Sequence, residues 1–264
     1  DMPLHDFTGG NTFAPLLVKD KWASEVNAAA LDAGIIRARA QLKAATTMEV
    51  GLSGTTATVK ITNNTGHKFP TGYPEGRRAW IQLITFDNAG KATIVSGAYD
   101  VATATLTKSG TKIYECKPGI SASLANALGL PEGPSFHMAL NDIIISDNRI
   151  PPAGYTDAKL NEYQSPVVDY AYEDGQNWDV TTYTVPDGTV KVEARLYYQT
   201  ASKEFVEFLR DKNTTNTRGQ ELYDLWLKHG KSTPELINSA TWGESIVTTP
   251  LLDAQFTILI TRVS

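Results

Sequence analysis

The stretch that decides the fold is Ala79–Ser96, AWIQLITFDNAGKATIVS. Residues 79–87 form a β-prone apolar run, Asn88-Ala89-Gly90 is a turn, and residues 91–96 return with Thr93, Ile94 and Val95. Together they read as an antiparallel hairpin. Outward from it, residues 56–62 (TATVKIT) alternate as a half-buried strand. Further strands are expected near 111–116, 140–146, 180–185, 189–199 (TVKVEARLYYQ) and 255–263. The strands are short and lack the regular strand–helix alternation that a parallel sheet requires. The expected class is mainly β, an antiparallel immunoglobulin-like β-sandwich with an N-terminal helical arm and C-terminal helical insertions.

The arm precedes the strands. Residues 1–15 (DMPLHDFTGGNTFAP) are turn formers without a sustained period, an extended lead-in. From Leu16 to Ala45, the residues Leu17, Trp22, Val26, Ala30, Ile35 and Leu42 recur near the helical period, with Gly34 expected to bend or split the helix. Late in the chain, Ser202 is expected to cap a helix burying Phe205, Phe208 and Leu209. Thr217 and Gln220 form a capping box ahead of Leu222, Leu225 and Trp226, with Gly230 as the stop. A third short helix is expected from Ser232 or Thr233, with Pro234 in its first turn and Glu235 completing a capping box. The organisation read from this is a lead-in and arm over residues 1–47 and a β-sandwich domain over 48–264, with the helical insertion at about 202–240.

The 264 residues carry 24 Lys and Arg against 29 Asp and Glu, a net charge of −5. No basic stripe stands out, which argues against a nucleic-acid partner. Apolar runs are only a few residues long, so no transmembrane segment is expected. Cys116 is the single cysteine. It cannot close an intrachain disulfide or make a Cys-x-x-Cys-His site, so this chain attaches no c-type haem covalently. Beside Tyr114 in a strand, it reads as a small buried hydrophobe. The chain opens at Asp1 without an initiator Met or a signal-peptide core, and reads as a piece of something longer. The Ser-elbow, phosphate-loop, dinucleotide and His-Glu-x-x-His motifs are missing, which points away from an enzyme.

Four histidines remain: His5, His67, His137 and His229. His67 lies in the densest segment, residues 63–80 (NNTGHKFPTGYPEGRRAW), between two strands. A loop stiffened by three Gly and two Pro, presenting one imidazole, suits a metal or haem-iron ligand. The same imidazole would equally serve by bonding loop backbone and holding its shape. His5 sits in the lead-in, and His137 follows a Gly/Pro-rich stretch. His229, in the last turn of a helix, favours the macrodipole. No two lie at helical spacing, which argues against a preformed zinc site. The acidic run Asp169–Asp179 (DYAYEDGQNWD) would offer oxygens to calcium, though Asp174-Gly175 is equally a plain turn signal. Asn63-Asn64-Thr65 and Asn213-Thr214-Thr215 match the glycosylation tripeptide. Trp80, Trp226 and Tyr197-Tyr198 read as core aromatics.

Thr65-Gly66-His67-Lys68-Phe69-Pro70-Thr71-Gly72-Tyr73-Pro74, running into Arg77-Arg78-Ala79-Trp80, resembles the C-terminal, haem-free β domain of a family of secreted multihaem c-type cytochromes of anaerobic, metal-respiring and related bacteria. Other segments agree in the same order. They are His5-Asp6-Phe7 with Gly9-Gly10-Asn11-Thr12, then Asp147–Tyr155 (DNRIPPAGY) and Leu196–Thr200 (LYYQT). Glu207–Asp211 (EFLRD), Arg218-Gly219 to Trp226 and Gly230-Lys231-Ser232 come after these. In that family haem sites lie upstream, often ending in His-Met-Pro; here Met2-Pro3 is present and Asp1 stands in place of the His. The resemblance implies an exported module, periplasmic or at the cell surface, that covers haems and mediates assembly. It also implies haem c held by an upstream segment or partner chain, with His5 and His67 as axial ligands and His137 as a third candidate. Two other readings stand beside it: a structural or adhesive domain forming homo-oligomers or filaments, and a secreted calcium- or carbohydrate-binding protein.

Overall fold

The computed structural model describes residues 8–243; the expected strand at 255–263 and His5 lie outside them. Asn11 starts the first helix by accepting hydrogen bonds from the backbone of Phe13 and Ala14, at 3.1 and 2.8 Å. Helix α1 (Ala14–Lys21) stops at Trp22, and Asn27 caps α2 (Ala28–Ala44) by accepting from the Ala30 N–H at 3.1 Å. The break in the arm thus falls at residues 22–27. Gly34 sits inside α2, where alanines on both sides carry the helix through it.

Strand β1 (Thr46–Ser53) comes directly after and turns through Gly54, at φ +56°, into β2 (Thr56–Asn63). The central hairpin is β3 (Arg78–Phe86) and β4 (Ala92–Ser96), its turn tied by Asp87 accepting from the Ala89 and Lys91 N–H groups. Short pieces come next: β5 (Tyr99–Asp100), β6 (Thr105–Leu106), β7 (Ile113–Tyr114), β8 (Cys116–Ile120), α3 (Ala122–Leu128) and β9 (Gly133–Pro134). Then come β10 (Ile143–Asp147), α4 (Asp157–Glu162), β11 (Trp178–Thr184) and β12 (Lys191–Gln199). Last are α5 (Lys203–Lys212), α6 (Arg218–Lys228) and β13 (Glu235–Trp242).

Among the described residues all the strand pairings are antiparallel. One sheet runs β13-β12-β3-β4 with β7 beside β3; a second runs β1-β2-β11. Alternate residues of both sheets enter one core, with Ala57, Val59 and Ile61 of β2 joining Ile81, Leu83, Leu196 and Tyr198. The opposite face of the larger sheet is buried as well. There Trp80 and Tyr197 pack with Phe13 and Leu17 of the arm and with Val206 and Trp226 of α5 and α6. Burial on both faces explains why every residue of β3 is buried. Among the described residues two smaller sheets, β10-β8-β9 and β5-β6, complete a mainly β, antiparallel protein with helices over the outer face of the largest sheet.

Three expectations about the late helices change. Ser202 does cap α5, accepting from the Phe205 N–H at 3.3 Å, but the side chain the helix buries is Val206; Phe205, Phe208 and Leu209 are half-buried. The hydroxyl of Thr217 bonds Glu221 instead of a backbone N–H, and Gln220 reaches Asp224, so no capping box forms. The helix expected at Ser232–Glu235 is absent. Lys231 and Ser232 take positive φ and turn the chain, and Glu235–Trp242 pairs along β12, burying Ile237. No described helix is long and apolar enough to cross a membrane.

Candidate functional site

The loop between β2 and β3 carries His67 and is held from both ends. Asn63, the last residue of β2, is fully buried. Its amide nitrogen donates to the carbonyls of His67, Ile150 and Pro151 at 2.7, 2.9 and 3.0 Å. Its carbonyl oxygen accepts from the Thr65 N–H at 2.9 Å. A side chain so engaged is a structural hub, so Asn63 is no glycan acceptor. Two residues past His67, Phe69 and Ile150 exchange backbone hydrogen bonds of 2.8 and 2.9 Å, stitching the loop to the Asp147–Tyr155 segment.

Between those anchors Lys68 turns inward. Its ammonium lies 2.7 Å from the Asp147 carboxylate and donates to the Pro166 carbonyl, also at 2.7 Å. Arg149 grips both oxygens of Asp147, at 2.8 and 2.7 Å. Two cations therefore share one carboxylate, with the Lys68 and Asp147 side chains only 5% and 3% exposed. Burial pushes the Asp147 carboxyl up, but the hydrogen bonds and charges of Arg149 and Lys68 outweigh it and hold it below its ordinary value. Burial lowers the Lys68 ammonium, and Asp147, shared with Arg149, offsets that only in part. The site carries a net positive charge beneath its surface.

With Lys68 directed inward, its neighbour His67 is directed out. His67 is exposed, and its imidazole has no hydrogen-bond partner among the described residues; the loop bonds run through its backbone. The imidazole borders a groove of about 490 Å³ lined by Gly72, Arg149, Pro152, Tyr155 and Tyr163. The hydroxyl of Tyr155 is buried there with no partner, and burial pushes it up to about 12. Gly72, at φ +88°, lies where a Cβ would meet the Arg77 guanidinium, which itself donates to the Thr71 carbonyl at 2.7 Å.

His137 is placed elsewhere. It stands edge-on to Phe208 at 4.7 Å, beside Phe136, and lines different cavities from His67. His229 pairs with Asp20 of the arm at 2.8 Å. The acidic run 169–179 is put to structural use: Asp179 accepts from Tyr114 and Tyr170 at 2.8 and 2.7 Å and pairs with Lys112 at 3.0 Å. Among the described residues no group of three or more His, Cys, Asp and Glu side chains is arranged to hold a metal ion. Cys116 is buried, and burial pushes its thiol up to about 11.

The donor set at His67 fits a haem iron held by another segment. It offers one imidazole without a hydrogen-bond partner among the described residues, on a fixed backbone, beside a groove that joins Tyr155 and Tyr163 to the cations Lys68, Arg149 and Lys159 and holds an orphaned hydroxyl. It does not fit a metal needing several protein ligands. The Gly- and Pro-rich frame of residues 63–80 singles out His67 in the sequence, whereas nothing local signals Asn63 as a hub or the Lys68–Asp147–Arg149 cluster.

No protein-family model matches the chain, and no curated protein does. Among solved structures it is similar to a penta-haem cytochrome c552 from Thermochromatium tepidum, with 15% identity and a TM-score of 0.43. The match covers 77% of this chain and 40% of that one.

Proposed function

We propose that the chain is a non-catalytic, exported module of a multihaem cytochrome electron-transfer system, an immunoglobulin-like sandwich that donates His67 as an axial ligand and covers the haem beside it. The observation that carries this reading is the His67 loop. Its backbone is fixed by Asn63 and by the Phe69–Ile150 bridge, while its imidazole is left exposed and unbonded. A side chain serving only to shape the loop would be expected to bond the loop, and here Asn63 and Thr65 do that work. The two segments that carry the cytochrome resemblance, Thr65–Pro74 and Asp147–Tyr155, are clasped together, and both line the groove beside the imidazole.

In this reading His67 would hold the iron through one ring nitrogen. A haem ligated there supplies one-electron exchange at its iron. Tyr155 and Tyr163 would cover the haem edge, and the surplus charge of Lys68 and Arg149 would favour its carboxylates. Rigid anchoring matters because axial-ligand orientation and exclusion of water tune the potential. His5 is the second ligand candidate.

The test is His67→Ala in the assembled cytochrome. The expected result is loss of the low-spin optical signature from one haem, with the others unchanged and the thermal melt of the module preserved. An unaltered low-spin spectrum in every haem removes the ligand role.

A further inference from the structure

The sheet β1-β2-β11 ends in β11, whose outer side is open. β11 pairs with β2 in unbroken register, from Trp178 opposite Thr62 to Thr184 opposite Thr56. At one end the Asn63 N–H donates to the Asn177 carbonyl at 2.8 Å, and at the other the Val185 N–H donates to the Thr55 carbonyl at 2.9 Å. Hydrogen-bonded pairs alternate along an antiparallel ladder, so Asp179, Thr181 and Tyr183 turn their backbone groups to β2. Trp178, Val180, Thr182 and Thr184 turn theirs to the free edge. The Trp178 carbonyl accepts from the Gln176 side chain at 2.8 Å, but the backbone groups of Val180, Thr182 and Thr184 have no partner among the described residues. All four residues are exposed, Val180 by 47%.

Edge strands ordinarily carry a device that blocks further pairing. Register shifts interrupt the pairings of β4 and β10, and where β13 meets β1 the Asn238 side chain donates to the Thr46 carbonyl. β11 has no bulge, Pro or Lys along its 7 residues, and its four outward side chains carry no charge. Asp179, its one charged residue, is buried on the inner face and paired with Lys112 at 3.0 Å. What fits such an edge is another extended backbone. A second β11, laid antiparallel about Thr181, sets Trp178 of one copy opposite Thr184 of the other, and Val180 opposite Thr182. Each open N–H then faces an open carbonyl, β-branched and aromatic side chains meet across the junction, and no like charges stand opposite. We propose that two copies of this chain associate through β11, about a twofold axis at Thr181, joining their β1-β2-β11 sheets into one continuous sheet. This association is independent of any haem at His67.

The test is sedimentation velocity of the full chain from about 1 to about 500 µM, where a small interface of one strand per copy should give a reversible monomer–dimer equilibrium. Thr182→Pro removes an open N–H and leaves the ladder to β2 intact, so it should weaken association about tenfold or more while the thermal melt is kept. Val180→Lys, a charge on the exposed edge, is the second variant in case Pro disturbs the strand. Cross-linking reads the register. With oxidised glutathione, Thr181→Cys, on the axis, should give a disulfide-linked dimer. Thr184→Cys, about 20 Å from its equivalent, should not. A full chain that stays monomeric through this range overturns the proposal, whether the edge is then open or held by another strand. So does unchanged association in the folded variants, or equal cross-linking at positions 181 and 184.

Discussion

Removing the shared carboxylate at Asp147 should cost far more than removing either cation around it. Asp147→Asn keeps the side chain's shape and one carbonyl oxygen but cancels the only negative charge in the cluster. Lys68 and Arg149, with side chains 5% and 14% exposed, then face each other as buried like charges. Breaking a buried pair from one side costs about 3–5 kcal/mol. Lys68→Met is the informative contrast. It leaves Asp147 gripped by Arg149 through both oxygens and removes the surplus cation; the uncompensated loss is the donor to the Pro166 carbonyl, about 1–2 kcal/mol. Urea unfolding monitored by circular dichroism measures both, and the Asp147→Asn melting point should fall by about 6–20 °C. The pH dependence comes from the same geometry. The folded carboxyl of Asp147 lies below its ordinary 3.8, so its stabilisation is fully present above that value and is lost as pH falls through the folded value. Asp147→Asn should therefore flatten the acid limb of the stability curve below about pH 4. Equal costs for the two variants, or a larger one for Lys68→Met, would refute this explanation of the cluster.

Asn63→Ala should cost about 2–4 kcal/mol, since it strips the donor from three loop carbonyls, and a melt within error of the wild type would remove Asn63 as the hub. Gly76→Ala should destabilise by about 2–4 kcal/mol, because at φ +73° its Cβ would lie 2.5 Å from the Cβ of Phe205; a neutral substitution would mean that the loop does not pack on α5 as described. Cys116, with its thiol pushed up to about 11, should resist iodoacetamide at pH 8 in the native protein and react in urea, and rapid native labelling would contradict its burial.

The hairpin at Ala79–Ser96 was legible because its apolar runs, its turn and its β-branched residues all point the same way. Glu235–Trp242 was not, since Ser232, Pro234 and Glu235 spell a helix start in local terms. What decides it is the edge of β12, a contact no local window contains. The arm failed similarly: Gly34 is the weak helix former, yet Asn27 sets the break by capping the second helix. For the site, the Gly- and Pro-rich frame of His67 was visible in residues 63–80. Its anchors were not, because Lys68 and Asp147 stand 79 residues apart and Asn63 reads in sequence only as the first residue of a glycosylation tripeptide. Long-range polar partners of this kind leave no periodic trace.

Association with haem carries the functional reading, and an optical spectrum, with intact mass, of the protein purified from its native source probes it with no variant or reconstitution in between. The expected result is a Soret band with low-spin features that stays with this chain through purification. A colourless protein would contradict it.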